Sequence, residues 1–187
     1  MSGRPRDLEL EKRLLAATWA LLVERGYESL TMSEVASAAK AHRSDVYRRW
    51  SSKSQLVSDT LAEHLPPIMA NDTGSLRSDL SAIVDDLALA WSSPWINGLV
   101  GWLADLRPDA EAEQASQAML TRRSRPAREA LNRAVERREI SEIADLSTVA
   151  NLLEGPLMHR RMFTGQDLTP DFLEAVVQAA HRYLTER

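Results

Sequence analysis

The stretch Thr31–Trp50, TMSEVASAAKAHRSDVYRRW, decides the fold. Met32, Val35, Ala36 and Ala39 fall at i, i+3, i+4 and i+7, one face of a helix. Thr31 precedes that run as an N-cap and Glu34 follows three residues later, the pattern of a capping box. A second apolar set, Val46, Tyr47 and Trp50, is spaced for one face of another short helix. Lys40-Ala41-His42 between them leaves room for a turn and no more. Two short helices joined this way form a helix-turn-helix, whose second helix lies in the DNA major groove. From Lys40 to Lys53, five Lys/Arg stand against one acid, Asp45, a balance suited to a surface that meets phosphates.

The whole chain agrees with a helical reading. Its 187 residues suit one or two domains. Glycine and proline are sparse, at 7 and 8, and β-branched runs are nearly absent, which predicts an all-α protein of about nine helices. With no cysteine there is neither a disulfide framework nor a thiolate metal site. The opening MSGRPRDLELEK lacks the apolar core of a signal peptide, and no stretch nears 18 apolar residues, so a cytoplasmic protein without a membrane span is expected. The net charge of −4 is unevenly spread. Residues 1–55 carry 10 Lys/Arg against 7 Asp/Glu, net +3, and the remainder 13 against 20, net −7. A basic front and an acidic rear would turn the molecule toward a polyanion.

Upstream of the motif, residues 2–6 read as an arm, either solvated or laid along DNA. A first helix runs from about Asp7 to Arg25 on a stripe of Leu10, Leu14, Ala17, Leu21 and Leu22, with Gly26 as its stop. Downstream, Ser51 or Ser52 caps a helix carrying Leu56, Val57, Thr60 and Leu61, ended by Pro66-Pro67. A head of this size is marginal alone, so that last helix is expected to pack on the next domain as well. The turn-rich Asn71–Ser75 sets the boundary, giving a head at 7–67 and a second domain at 75–187. Further helices are predicted near 75–92 and 95–106, then a long one from Pro108 to about Arg138, disturbed at Pro126. Its arginine-rich end reads as a solvated face, with Glu129 and Arg133 paired at i,i+4, or else as a second phosphate patch. Two more helices follow, one capped by Asp145 and interrupted at Gly155-Pro156, one capped by Thr169 with Pro170 at N1.

With these residues in view, the chain resembles the tetracycline-repressor (TetR) family of bacterial one-component transcription regulators. The resemblance covers Arg13 to Leu56 and rests on Glu24-Arg25-Gly26-Tyr27, Thr31, Val35-Ala36, Ala39, Val46-Tyr47-Arg48-Arg49-Trp50 and Ser52-Lys53. Glu154-Gly155-Pro156-Leu157, with Arg160 and Thr164-Gly165, resembles a subgroup of that family. Two positions depart: Lys40 stands where the family usually has glycine, and His42 where it usually has serine or threonine. A lysine fits such a turn if its φ stays negative, and His42 caps only through a ring-nitrogen lone pair. The resemblance implies a homodimer with two DNA-reading heads. Its second domain would bind a small molecule and pair through the last two helices, and ligand binding would release operator DNA.

Candidate site residues follow. For double-stranded operator DNA these are Thr31, Ser33, Lys40, Arg43, Ser44, Tyr47, Arg48 and Lys53. Arg43 is the expected base reader, since a guanidinium grips guanine bidentately. Arg48, Lys53, Thr31 and Ser33 are assigned to phosphates. The resemblance places Tyr47 at a DNA-touching position, with core packing as the alternative. Asp45 either accepts from a cytosine amine or holds Arg49. For a hydrophobic effector, Trp91, Trp95, Leu99, Trp102, Met119, Met158 and Met162 supply flat and adaptable side chains, with core packing again the alternative. For self-association, Val149, Leu152, Gly155, Pro156, Phe172, Val176 and Leu184 lie in the last two helices. The four histidines are scattered and no nucleophile, phosphate-loop or metal motif is present, so no catalysis, metal or cofactor is expected. The competing class is a helical adaptor that binds protein and not DNA.

Overall fold

The computed structural model describes residues 8–69, 71–93, 95–96, 99–106, 109–142 and 144–186, so the N-terminal arm lies outside the described residues. The helices are α1 (Leu8–Ser29), α2 (Met32–Ala38), α3 (Arg43–Tyr47), α4 (Lys53–His64), α5 (Leu76–Trp91), α6 (Leu99–Leu106), α7 (Ala110–Arg123), α8 (Arg125–Glu136), α9 (Leu146–Met162) and α10 (Pro170–Thr185). Among the described residues there is no strand. The chain packs as two compact units that interleave along the sequence: Met1–Leu65 with Pro94–Met119, and Pro66–Ser93 with Leu120–Arg187.

In the first unit, Leu10, Leu14, Leu15 and Leu22 bury one side of α1. Gly26 breaks the helix with φ +75°, which turns Tyr27 inward to near-complete burial. The capping box of α2 is complete: Glu34 N–H donates to Thr31 Oγ1 (3.2 Å) and Thr31 N–H to Glu34 Oε2 (3.2 Å). α4 starts on Ser52, whose hydroxyl accepts from Gln55 N–H (3.1 Å), and stops at Leu65, held extended before Pro66. It packs against α1 and α6 inside this unit. The helix expected from Trp95 is shorter and starts at Leu99.

The turn after α2 corrects the expectation for Lys40. Its φ is +52°, not negative. Lys40 N–H donates to Ser37 O (3.1 Å) and Ala41 N–H to Ala36 O (2.9 Å), the two bonds of a Schellman stop, which demands a left-handed residue between them. α8 ends the same way, with Arg138 at φ +63° and Glu139 N–H on Ala134 O (2.9 Å). A side chain in that region costs about 1 kcal/mol relative to glycine. Lys40→Gly is therefore expected to stabilise the protein by roughly that amount, read as a raised denaturation midpoint at unchanged slope. A lowered midpoint would show that the lysine side chain makes up for the strained backbone.

The second unit is built on α5, α8, α9 and α10. Its organising group is Asp79, 0% exposed at the first turn of α5. Thr73 donates to Oδ1 from N–H (2.8 Å) and hydroxyl (2.6 Å), and Arg133 to Oδ2 from Nε (3.1 Å) and Nη2 (3.0 Å). Arg137 reaches the same oxygen at 3.5 Å and also pairs with Asp72 and Glu139. Glu139 in turn accepts from Leu76 N–H (2.7 Å). The arginine-rich run is thus not one solvated face. Arg133 and Arg137 fold inward, and Arg123 donates to Pro66 O (2.9 Å). Glu129 pairs with Arg125 (2.7 Å), not with Arg133. The expected long helix divides at Ser124, with Pro126 in the first turn of α8, because a proline ring is tolerated there and not in mid-helix. α9, by contrast, runs through Gly155-Pro156 without the expected interruption.

Candidate nucleic-acid interface

α3 presents two different sides. Val46 is fully buried and Trp50, just beyond the helix, nearly so, its indole N–H on Asp59 Oδ2 (2.8 Å). α3 packs against α2, and the Trp50 bond ties the residues after it to α4. The other side is open to solvent: Arg43, Ser44, Tyr47 and Arg48 are all exposed. Tyr47 therefore does not join the apolar face its spacing suggested; 47% of it is exposed. Arg43 stacks over the Tyr47 ring at 5.2 Å and donates from Nη2 to its hydroxyl (3.1 Å). One turn of helix separates them, so the pair forms a single raised feature.

Asp45 is placed differently from either expectation. Its Oδ2 accepts from His42 N–H (3.3 Å), so the carboxylate, one turn into α3, caps the helix. Its Oδ1 accepts from Arg48 Nη2 (2.6 Å). Arg49 is held by the Asp45 backbone carbonyl (2.9 Å), not by the carboxylate. Desolvation works against the charged carboxylate, but the bonds from Arg48 and His42 outweigh it and keep its pKa below the usual carboxylate range.

The remaining DNA candidates sit at helix ends of the same unit. Thr31 and Ser33 are exposed at the start of α2, and Lys40 is exposed in the turn. Lys53 is half-buried: its ammonium lies 3.9 Å over the Tyr27 ring and donates to Tyr27 O (3.2 Å). It ties α4 to the end of α1, besides any phosphate it meets.

Residues 99–106 and 109–119 add contacts between groups far apart in sequence. Tyr27 Oη donates to Asp105 Oδ2 (2.7 Å), and burial first, then that carboxylate, push the phenol well above its ordinary pKa. Asp109 accepts from the hydroxyls of Ser52 and Ser54 (2.8 Å for Ser54) and from Ala112 N–H (3.0 Å). One carboxylate thereby serves the N-termini of both α4 and α7, where the helix dipoles favour negative charge. The Ser52 bond, then the Ala112 N–H, hold its pKa low. The signal available in sequence was Asp109 just ahead of a helical run; its partner lies 57 residues away.

The effector candidates are divided between the units. Trp95, Trp102 and Met119 are buried in the first, where the Trp102 indole donates to Ser54 O (3.4 Å). Leu99 begins α6, and its side chain lies outside the described residues. Trp91, Met158 and Met162 belong to the second unit. Trp91 is buried and donates to Glu154 Oε1 (2.9 Å), and the two methionines are partly exposed. Of the self-association candidates, Val149, Val176 and Leu184 are already buried within their own unit, whereas Leu152, Gly155, Pro156 and Phe172 keep partial exposure. Among the described residues no helix is long and apolar enough to cross a membrane.

Comparison with known proteins gives a consistent assignment. The family described as bacterial regulatory proteins, tetR family, matches residues 14–60, and the tetracyclin repressor-like C-terminal domain matches residues 70–180. An HTH-type transcriptional regulator of Mycobacterium bovis, Mb1581, is 32% identical over 92% of this chain and 84% of its own. Among solved structures, the TetR family transcription regulator SCO0332 superposes with a TM-score of 0.73 at 24% identity, covering 92% of this chain and 97% of its own. The regulator FadR from Bacillus subtilis, solved in complex with stearoyl-CoA, superposes with a TM-score of 0.62 at 14% identity, covering 93% and 97%.

Proposed function

The chain belongs to the TetR family of DNA-binding transcriptional regulators, and from that premise we propose that it is a cytoplasmic repressor whose homodimer is released from a palindromic operator by a small apolar molecule. The observation that carries the DNA-reading part is the raised Arg43–Tyr47 pair on a helix whose opposite face is locked into the core. Arg43 reads a base edge, with Tyr47 and Arg48 on the flanking backbone. Thr31, Ser33, Ser44, Lys40 and Lys53 position the head on phosphates. Two heads arise by pairing of α9 and α10 through Leu152, Gly155, Pro156 and Phe172, the candidates that one chain leaves partly open. The effector is read in the second unit by Trp91, Met158 and Met162. Trp95, Trp102 and Met119 have packing roles in the first unit.

Selection of bound duplexes from a random pool tests this directly. The enriched sequence should be palindromic, and its affinity should fall steeply with salt. A protein adaptor would enrich nothing and show no salt-dependent shift. On the enriched operator, Arg43→Ala should weaken binding by ~1–3 kcal/mol and relax one base position in each half-site. Lys53→Ala should weaken all duplexes alike, and should also lower stability by about 0.5–1 kcal/mol through loss of its place over Tyr27. Equal, sequence-independent losses from both variants would make Arg43 a phosphate contact only. Fatty acyl thioesters are the first compounds to test as effectors. A true one shifts tryptophan emission and weakens operator binding over one concentration range, and operator DNA weakens it by the same factor.

A further inference from the structure

We propose that Asp45 is a positioning residue that sets the specificity of the head, by holding Arg48 in an ion pair that non-specific DNA must break. The inference rests on the DNA-binding reading above and deepens it. A base-reading carboxylate has to stand free at the surface. The Asp45 side chain is only 18% exposed, and each of its oxygens is engaged, one by the His42 N–H and one by Arg48. Arg48, at 66% exposure, is the outer member of the pair. The cap fixes the carboxylate on the helix, and the carboxylate fixes the guanidinium one turn further on, so Arg48 is aimed as well as neutralised.

The consequence follows from how non-specific binding works. That mode gains nearly all its affinity from cations placed on phosphates, and its salt dependence counts them. An arginine whose charge is already met contributes little to a loosely placed, shifting contact. In a register-matched complex the same arginine is pre-oriented, and a well-placed phosphate shares it with Asp45 or takes it over. Asp45 therefore lowers affinity for arbitrary sequence more than affinity for the operator, and so widens the ratio between them.

The test uses the full chain, the operator enriched by selection and a random-sequence duplex of equal length. Asp45→Asn keeps an oxygen to accept from the His42 N–H but loses the charge. It should raise random-duplex affinity roughly two- to fivefold, the range an exposed ion pair allows, and steepen the salt slope by about 0.9. Operator affinity should change less. In an Arg48→Ala background, Asp45→Asn should leave the random-duplex slope unchanged. Arg48→Ala alone should weaken operator binding while barely altering the random-duplex slope, a result that does not depend on the Asp45 variant folding. The inference is overturned if Asp45→Asn acts equally with and without Arg48, which would make it a plain charge effect. It is overturned too if Asp45→Asn relaxes a single operator position, which would make Asp45 a base reader. Failure of the wild-type chain to bind any duplex would instead remove the DNA-binding reading, and this inference with it.

Discussion

Asp79→Ala is expected to destabilise the protein by about 3–5 kcal/mol, measured by denaturant unfolding, because it leaves the mostly buried Arg133 guanidinium without its carboxylate. Arg133, 18% exposed, gives two bonds to one oxygen of Asp79 and a third to Asn71 O (2.8 Å), and Thr73 gives two to the other. Alanine would strip all four at once and untie α5, α8 and the segment before α5. Arg137 would keep Asp72 and Glu139. Burial opposes the charged form of Asp79, yet the bonds from Thr73 and Arg133 prevail and its pKa is lowered. A carboxylate with a lowered folded-state pKa contributes its stability in full above its unfolded value, ordinarily about 3.9, and loses it as the pH falls through the folded value. The wild type should therefore weaken toward acid more steeply than Asp79→Asn. Parallel acid profiles would assign the acid sensitivity to other carboxylates, such as Asp109.

Trp50→Ala should cost a similar 3–5 kcal/mol, the range for removing a buried aromatic side chain, and here the loss falls on the DNA-reading head. Trp50 is 3% exposed, lies beside Val46 and donates to Asp59. Together they hold the back of α3, so the Arg43–Tyr47 pair is only as well aimed as this contact is firm. Operator binding should disappear at micromolar protein. Trp50→Phe keeps most of the ring volume and drops only the indole N–H. It should cost about 1 kcal/mol, a typical net hydrogen bond, and keep most binding. Operator binding by Trp50→Ala at wild-type strength would show that α3 is held by its neighbours without it.

What could be read from the sequence was local. Thr31 and Glu34 form a capping box because three residues separate them, and the structure shows both of its bonds. Ser52, Asp145 and Thr169 likewise cap the helices their side chains suggest, and Gly26, which lacks one, breaks α1. The buried side of α3 was half legible: Val46 and Trp50 face in, but Tyr47 shares their spacing and faces out, since five helical residues are too few for periodicity to separate two neighbouring directions. Lys40 was misjudged because its sign of φ is dictated by two backbone bonds closing around it, which residue type does not encode. Asp45 was matched to the wrong arginine: three and four residues on are both within reach, and the cap tips the carboxylate toward Arg48. Beyond that range the sequence was mute. Asp79 and Arg133 are 54 residues apart, and Ser52 and Asp109 are 57. For Trp102, spacing reveals an apolar face without revealing whether core or ligand covers it.

The interleaving of the two units bears on how the chain is made. The first unit lacks Trp102, Asp105 and Asp109 until residues 94–119 have been added, and by then residues 66–93 of the second have already been synthesised. Domains generally fold as they leave the ribosome, the N-terminal one first. Here the helix-turn-helix waits with Tyr27 and the start of α4 uncovered while unfinished α5 emerges behind it. A stalled or clipped chain ending near Leu65 is then not a small working head but an incomplete one. The first unit can close on its own contacts only once translation has passed residue 119.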